Sequence, residues 1–149
     1  MSAELTHTVS IACSIAALAL IAIRDLDQRQ IRNLHLLTLL VLAMAVSLTR
    51  DGFGTSGLVS GLAAGGVLFV LGLWFWHRGF IGGGYAKLFL QVGVFVGWSG
   101  LTGFALLLLP ASLVVLGVLR LVRGTPVTAV PYALPVAIAA TGAVLLSQY

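Results

Sequence analysis

Glu4, Asp25, Asp27 and Asp51 are all the acid this chain has. Carboxyl groups suit general acid–base work, and two that share a proton can activate water against a carbonyl. Asp25 and Asp27 sit in the run Arg24-Asp25-Leu26-Asp27-Gln28-Arg29-Gln30-Ile31-Arg32-Asn33. A solvated polar loop, its charges paired with its own arginines, accounts for that run equally, and Glu4 and Asp51 read as solvated outer charges. A second constellation is Gly79-Phe80-Ile81-Gly82-Gly83-Gly84-Tyr85-Ala86-Lys87-Leu88. Each glycine disfavours helix by roughly 1 kcal/mol against alanine, so Gly82, Gly83 and Gly84 are expected to supply positive backbone torsions or close backbone approach. No strand precedes them and the phosphate-loop spacing is missing. His35 and His77 lack the companion carboxylates of a metal site and read as interfacial polar groups. Cys13, alone, reads as a small apolar filler in mid-span, offering neither a disulfide nor a thiolate site. No metal and no organic cofactor is expected.

The elements that must carry these residues follow from composition. Of 149 residues, 60% are hydrophobic and 8% charged, with a mean hydropathy of +1.12. A soluble domain carries about 25% charged residues, so the chain is expected to be an all-α integral membrane protein. A membrane crossing takes roughly 20 apolar residues, and six apolar segments can be placed at 6–23, 34–49, 57–76, 85–99, 101–119 and 129–146. Only Trp98-Ser99-Gly100 divides the fourth from the fifth. The whole chain, 1–149, reads as one membrane-embedded domain.

A net charge of +4 and a pI near 10.0 would suit a nucleic-acid binder, but the placement of the basic residues explains them better. Arg24, Arg29 and Arg32 follow the first segment, Arg78 and Lys87 flank the third-to-fourth connection, and Arg120 and Arg123 follow the fifth; only Arg50 falls on the other side. Seven basic residues against one make a positive-inside pattern. Six crossings then put both termini on the extracytoplasmic side, and no nucleic-acid partner is expected. The segment before the first apolar run holds Glu4 and no basic residue, so the first crossing reads as retained rather than as a cleaved signal peptide. Trp74, Trp76 and Phe80 read as interfacial anchors. Gly57, Gly61 and Gly65 repeat at the small-xxx-small spacing that lets membrane helices approach closely. Parity also joins the two constellations: the chain leaves the membrane after Asp25, makes one full excursion, and returns to the same face before Gly82.

On these motifs the sequence resembles the type IV prepilin peptidases, membrane aspartic peptidases with a Gly-x-Gly-Asp motif, in particular the short, peptidase-only kind of tight-adherence pilus systems. The family's first aspartate opens a run reading roughly Asp-x5-Ile-Pro-Asn; here Asp25 stands six residues before Ile31, followed by Arg32 and Asn33. Its second aspartate ends a Gly-Gly-Gly-Asp-x-Lys-Leu run; here that run is Gly82-Gly83-Gly84-Tyr85-Ala86-Lys87-Leu88. A final Val-Pro-Tyr/Phe segment matches Val130-Pro131-Tyr132. Arg32 replaces the family's proline, and Tyr85 stands where the second catalytic acid belongs. The cysteine pairs and cytoplasmic insert of the bifunctional members are missing, so no methyltransferase activity is expected.

The resemblance implies a site at the cytoplasmic face of a bacterial inner membrane, with Asp25 facing position 85. It implies a prepilin leader as substrate or ligand, a glycine turn positioning residue 85, and Lys87 acting as a substrate contact or, preferably, as a snorkelling anchor. A tyrosine can hydrogen-bond to an oxyanion but, with a reference pKa near 10, does not exchange proton roles with Asp25. Asp27, two positions away on the same segment, points elsewhere on a helix. Three readings stand: a prepilin peptidase impaired or inactive at its second acid, a pseudo-peptidase that binds prepilins or assists pilus assembly, and a small channel or transporter component. The last gains little, because beyond Arg24 and Lys87 at segment ends no charged residue lies inside a segment to mark an ion path.

Overall fold

In the computed structural model, residues 3–28, 32–50, 55–123 and 131–147 are described. They form helices α1 (Ala3–Gln28), α2 (Asn33–Arg50), α3 (Thr55–His77), α4 (Gly83–Arg123) and α5 (Ala133–Leu146), with no strand among the described residues. Four of the five are long and apolar enough to cross a membrane; α5 is shorter. Arg29, Ile31, Asp51 and Val130, each used in the sequence reading, lie outside the described residues.

α4 spans 41 residues but is not one rod. Gly97 interrupts it with φ 72° and ψ 175°, a backbone region open essentially to glycine alone. The Phe89 and Phe104 rings meet with centroids 6.5 Å apart, whereas fifteen residues of straight helix would separate them by about 22 Å. The chain therefore doubles back at Gly97 into two antiparallel legs, 83–96 and 98–123. The expected interruption at 98–100 falls one residue earlier, because only the glycine at 97 meets the torsion the reversal needs.

Arg50, the outlier of the charge tally, explains itself here. It ends α2 and donates from Nη2 to the Phe95 carbonyl. That carbonyl belongs to the last turn of the first leg, where unpaired oxygens and the negative end of the helix dipole favour a cation. A Cβ on Gly97 would collide with the same guanidinium. One basic residue is thus placed on this side to close a helix end.

The end of α3 is built by a different glycine. Gly79 has φ 76°; its N–H donates to the Trp76 carbonyl at 2.9 Å and the Phe80 N–H to the Phe75 carbonyl at 3.0 Å. This is a Schellman termination with glycine in the left-handed position, and the Phe75–Phe80 ring contact at 6.3 Å supplies its usual hydrophobic closure. The positive torsions expected at Gly82–Gly84 are therefore at Gly79 and Gly97 among the described residues. Gly82 to Gly84 have no need of them, since Gly83 and Gly84 already begin α4. Gly79→Ala is expected to destabilise the protein by about 1 kcal/mol, the left-handed penalty for a residue with a Cβ; thermal unfolding in detergent measures it.

Small residues seat α3 against the first leg of α4. Gly57, Gly61 and Gly65 are all buried, and a Cβ on Gly65 would stand 2.9 Å from the Leu90 carbonyl oxygen. One turn from the site, a Cβ on Gly72 would stand 2.9 Å from the Ala86 Cα. Ser47 ties α2 into the same seam by donating to the Val94 carbonyl at 2.7 Å. α4 packs against α2, α3 and α5, and α1 against α2 and α5. The outer surface is apolar, with Leu20, Val70, Leu106 and Leu113 exposed. Cys13 lies on that surface rather than filling the core.

Candidate active site

Asp25 lies in the last turn of α1 and is 1% exposed. The solvated-loop alternative does not hold at Asp25: α1 runs to Gln28 and carries the acid inside the bundle. Asp27 is exposed, as two residues' rotation along a helix requires. A buried carboxylate must be hydrogen-bonded to be tolerated, and both oxygens of Asp25 accept. The Tyr85 hydroxyl donates to Oδ1 at 2.7 Å, and the Ala133 N–H donates to Oδ2 at 3.2 Å.

Each partner is aimed by its helix start. Tyr85 sits in the first turn of α4, its N–H donating to the Gly82 carbonyl at 3.0 Å. The tight seat of Gly72 on Ala86 fixes the next residue. Gly83 approaches only the Trp76 indole, where an added Cβ would find ordinary contact at 3.5 Å. Gly82 and Gly83 thus show no close approach, whereas Gly72 does, against Ala86. Ala133 is the first residue of α5, whose N-cap residue, Tyr132, makes no side-chain cap. Asp25 caps α5 from α1, where the free N–H groups and positive dipole end of a helix favour an acid.

Tyr132 closes the remaining side, its ring edge-on to Tyr85 at 5.8 Å and 78°. Pro131 beside it is buried. Sequence reasoning singled out this segment as a motif and assigned Tyr132 and Ala133 no part in the site. The available signal was the position of Pro131 just ahead of an apolar run, which marks a helix start and hence free N–H groups.

Lys87 and Asn33 pair with each other rather than with Asp25: Lys87 Nζ donates to Asn33 Oδ1 at 3.3 Å, on the exposed side. This contact joins the start of α2 to α4. Arg32, at the family's proline position, offers its carbonyl to the His35 and Leu36 N–H groups and so opens α2 without a fixed ring. His35 is half-buried and His77 exposed. Trp74, Trp76 and Phe80 are exposed around the end of α3, with the Arg78 guanidinium 4.9 Å from the Trp74 ring centre.

Tyr85→Phe keeps the ring contact with Tyr132 and removes one donor from a buried carboxylate. It is expected to lower stability by about 1–3 kcal/mol, read as a shifted denaturation midpoint in detergent.

Apolar helices with an apolar exterior, enclosing one buried acid among the described residues that is gripped by a phenol and a helix N-terminus, define a multi-pass membrane protein with a polar centre near one end of its bundle. The sequence profile of the type IV leader peptidase family matches residues 12–146. The chain belongs to that family, whose members are prepilin-type peptidases. No individual curated protein and no solved structure gives a significant match.

Proposed function

We propose that Asp25 and Tyr85 occupy the two catalytic positions of an aspartic leader peptidase, and that the tyrosine leaves this chain able to receive a prepilin leader but impaired or inactive in cutting it. The observation that carries this is the 2.7 Å bond between the Tyr85 hydroxyl and Asp25. Peptide hydrolysis by two acids needs one carboxyl to take a proton from water while the other donates to the scissile carbonyl, after which the roles reverse. Among the described residues Asp25 is the one buried carboxyl, and a phenol stands at the second position. The phenol donates to it where a nucleophilic water would have to lie.

The membrane setting follows the same reading. The reversal at Gly97 supports counting the two legs of α4 as separate crossings. With α5 this makes six crossings, both termini extracytoplasmic, and the Asp25 end at the cytoplasmic face of the bacterial inner membrane. The concentration of Arg24, Arg32, Arg78, Lys87 and Arg120 at that end agrees with the positive-inside rule. Membership of the tight-adherence pilus type belongs to the same proposal and rests on the order of the motifs around Asp25, Tyr85 and Tyr132.

A second reading, recognition of prepilins without cleavage, is favoured by how fully Tyr85 is accommodated: its ring packs on Tyr132 while its hydroxyl serves Asp25. One assay separates the two. Prepilin cleavage in proteoliposomes is measured for the unaltered chain, for Tyr85→Asp, and for Tyr85→Asp combined with Asp25→Asn. The expected order is weak or none, clear, and none. Equal cleavage by all three rejects the two-acid account. An inert Tyr85→Asp alongside prepilin retention by the unaltered chain establishes recognition without cleavage.

A further inference from the structure

A cavity of about 340 Å³ opens beside the Asp25 centre, with Tyr132 as the wall they share. Its other walls include Phe75 and Phe80 at the end of α3, Phe89 and Leu108 on the two legs of α4, and Val136 on α5. The Val136 N–H donates to the Tyr132 carbonyl at 3.2 Å, and Phe89 follows Tyr85 by four residues. The cavity therefore reaches one helical turn, about 6 Å, beyond the two tyrosines. That depth matches about two residues of extended peptide.

The walls are fixed and apolar. Phe89 is held edge-on by Phe104 at 6.5 Å, Phe75 and Phe80 hold each other at 6.3 Å, and Tyr132 is held by Tyr85 at 5.8 Å. None of these rings can swing in to fill the space without giving up its partner. Ser112 brings a hydroxyl to the wall but donates it to the Leu108 carbonyl of its own helix at 2.7 Å. Among the described residues no charged side chain lines the cavity, so a charge placed inside would go unpaired at high cost. A large apolar side chain suits it. We infer that this cavity is a specificity slot, taking the large apolar side chain of a prepilin residue within two positions of the bond presented to Asp25 and Tyr85. The inference rests on the proposed reading of that pair as the leader-receiving site. A lipid acyl chain is the competing occupant, and the shared wall favours the peptide, because a chain held at Tyr85 already lies against Tyr132.

Photo-cross-linking in proteoliposomes of the unaltered protein tests it. The probe is a purified prepilin carrying photo-leucine in turn at each of the two residues on either side of the cleavage bond. From one of these positions the label should fall on Phe89, Leu108 or Val136, read by peptide mass spectrometry. Label on Tyr85 or Tyr132 but on none of those three overturns the slot and leaves the leader-receiving site standing. No label at the Asp25 end overturns both. At the labelling position, retention of the prepilin should fall about tenfold when leucine is changed to alanine, the scale that methylene groups set in an apolar pocket. Aspartate there should be retained less still. Ser112→Phe, which fills the slot from the second leg, should bring the leucine prepilin down to the alanine level. Leu113→Phe, on the exposed face of the same helix, should leave it retained. The labelling of the unaltered protein stands even if a variant fails to fold. Equal retention of leucine, alanine and aspartate prepilins overturns the slot, as does indifference to Ser112→Phe. A phospholipid with a photoreactive acyl chain that labels these walls equally with and without saturating prepilin also overturns it, and assigns the cavity to lipid.

Discussion

Tyr85→Asp is expected to raise prepilin cleavage by about three powers of ten or more over the unaltered chain, the scale on which one member of a cooperative catalytic set matters. The gain has a steric and an electrostatic part. An aspartate side chain ends a ring's length short of the phenol oxygen that now touches Asp25, so the substitution opens room for water and a scissile carbonyl between the two acids. Two carboxyls facing each other across that gap disfavour double ionisation, so one holds the shared proton while the other acts as base. The Ala133 N–H remains on Asp25 Oδ2 and orients the surviving acid. Initial rates on a purified prepilin in proteoliposomes check the prediction, and adding Asp25→Asn should return the rate to background.

Gly97→Ala is expected to be the most destabilising of the substitutions considered, by about 3 kcal/mol or more. A non-glycine residue at φ 72° and ψ 175° carries strain of about 1–3 kcal/mol. The new Cβ also displaces Arg50, and a hydrogen bond to a charged group contributes about 1.5–3 kcal/mol. Arg50→Gln alone should be the smaller loss. The double variant should fall short of the sum of the two, because both remove the same bond to the Phe95 carbonyl. Denaturation midpoints in detergent for the four members of this cycle give the comparison. Additive losses would mean that the arginine and the turn stabilise the protein separately.

Most of the helical framework and the meeting of the two constellations were legible in the sequence. Counting crossings brought Asp25 and residue 85 to one end, and the structure joins them by a hydrogen bond across sixty positions. Parity works because each crossing reverses the chain whatever its packing. What parity does not carry is torsion. The glycine triplet drew the expectation of positive φ, yet a helix can begin at any residue, whereas ending α3 and reversing α4 each required a left-handed position. Those fell to the isolated Gly79 and Gly97. Nor did the sequence indicate that Asp25 serves α5. A backbone amide bears no residue-specific mark, so Ala133 looked like part of an apolar run. Arg50 was visible only as an exception to a charge rule, because the Phe95 carbonyl that it meets is an accident of the fold-back rather than a motif.

The bond from Asp25 to Ala133 joins residues 108 positions apart, and it sets an order of events during biosynthesis. While the ribosome is still making the second leg of α4, Asp25 already has its phenol but not its amide. The polar centre is finished only when α5 arrives and gives up its first N–H. A chain ending before that point would leave one oxygen of this buried acid without its backbone donor, a costly state for a buried charge. The hydrogen bonding of Asp25 is therefore complete only once the chain has been made through to α5.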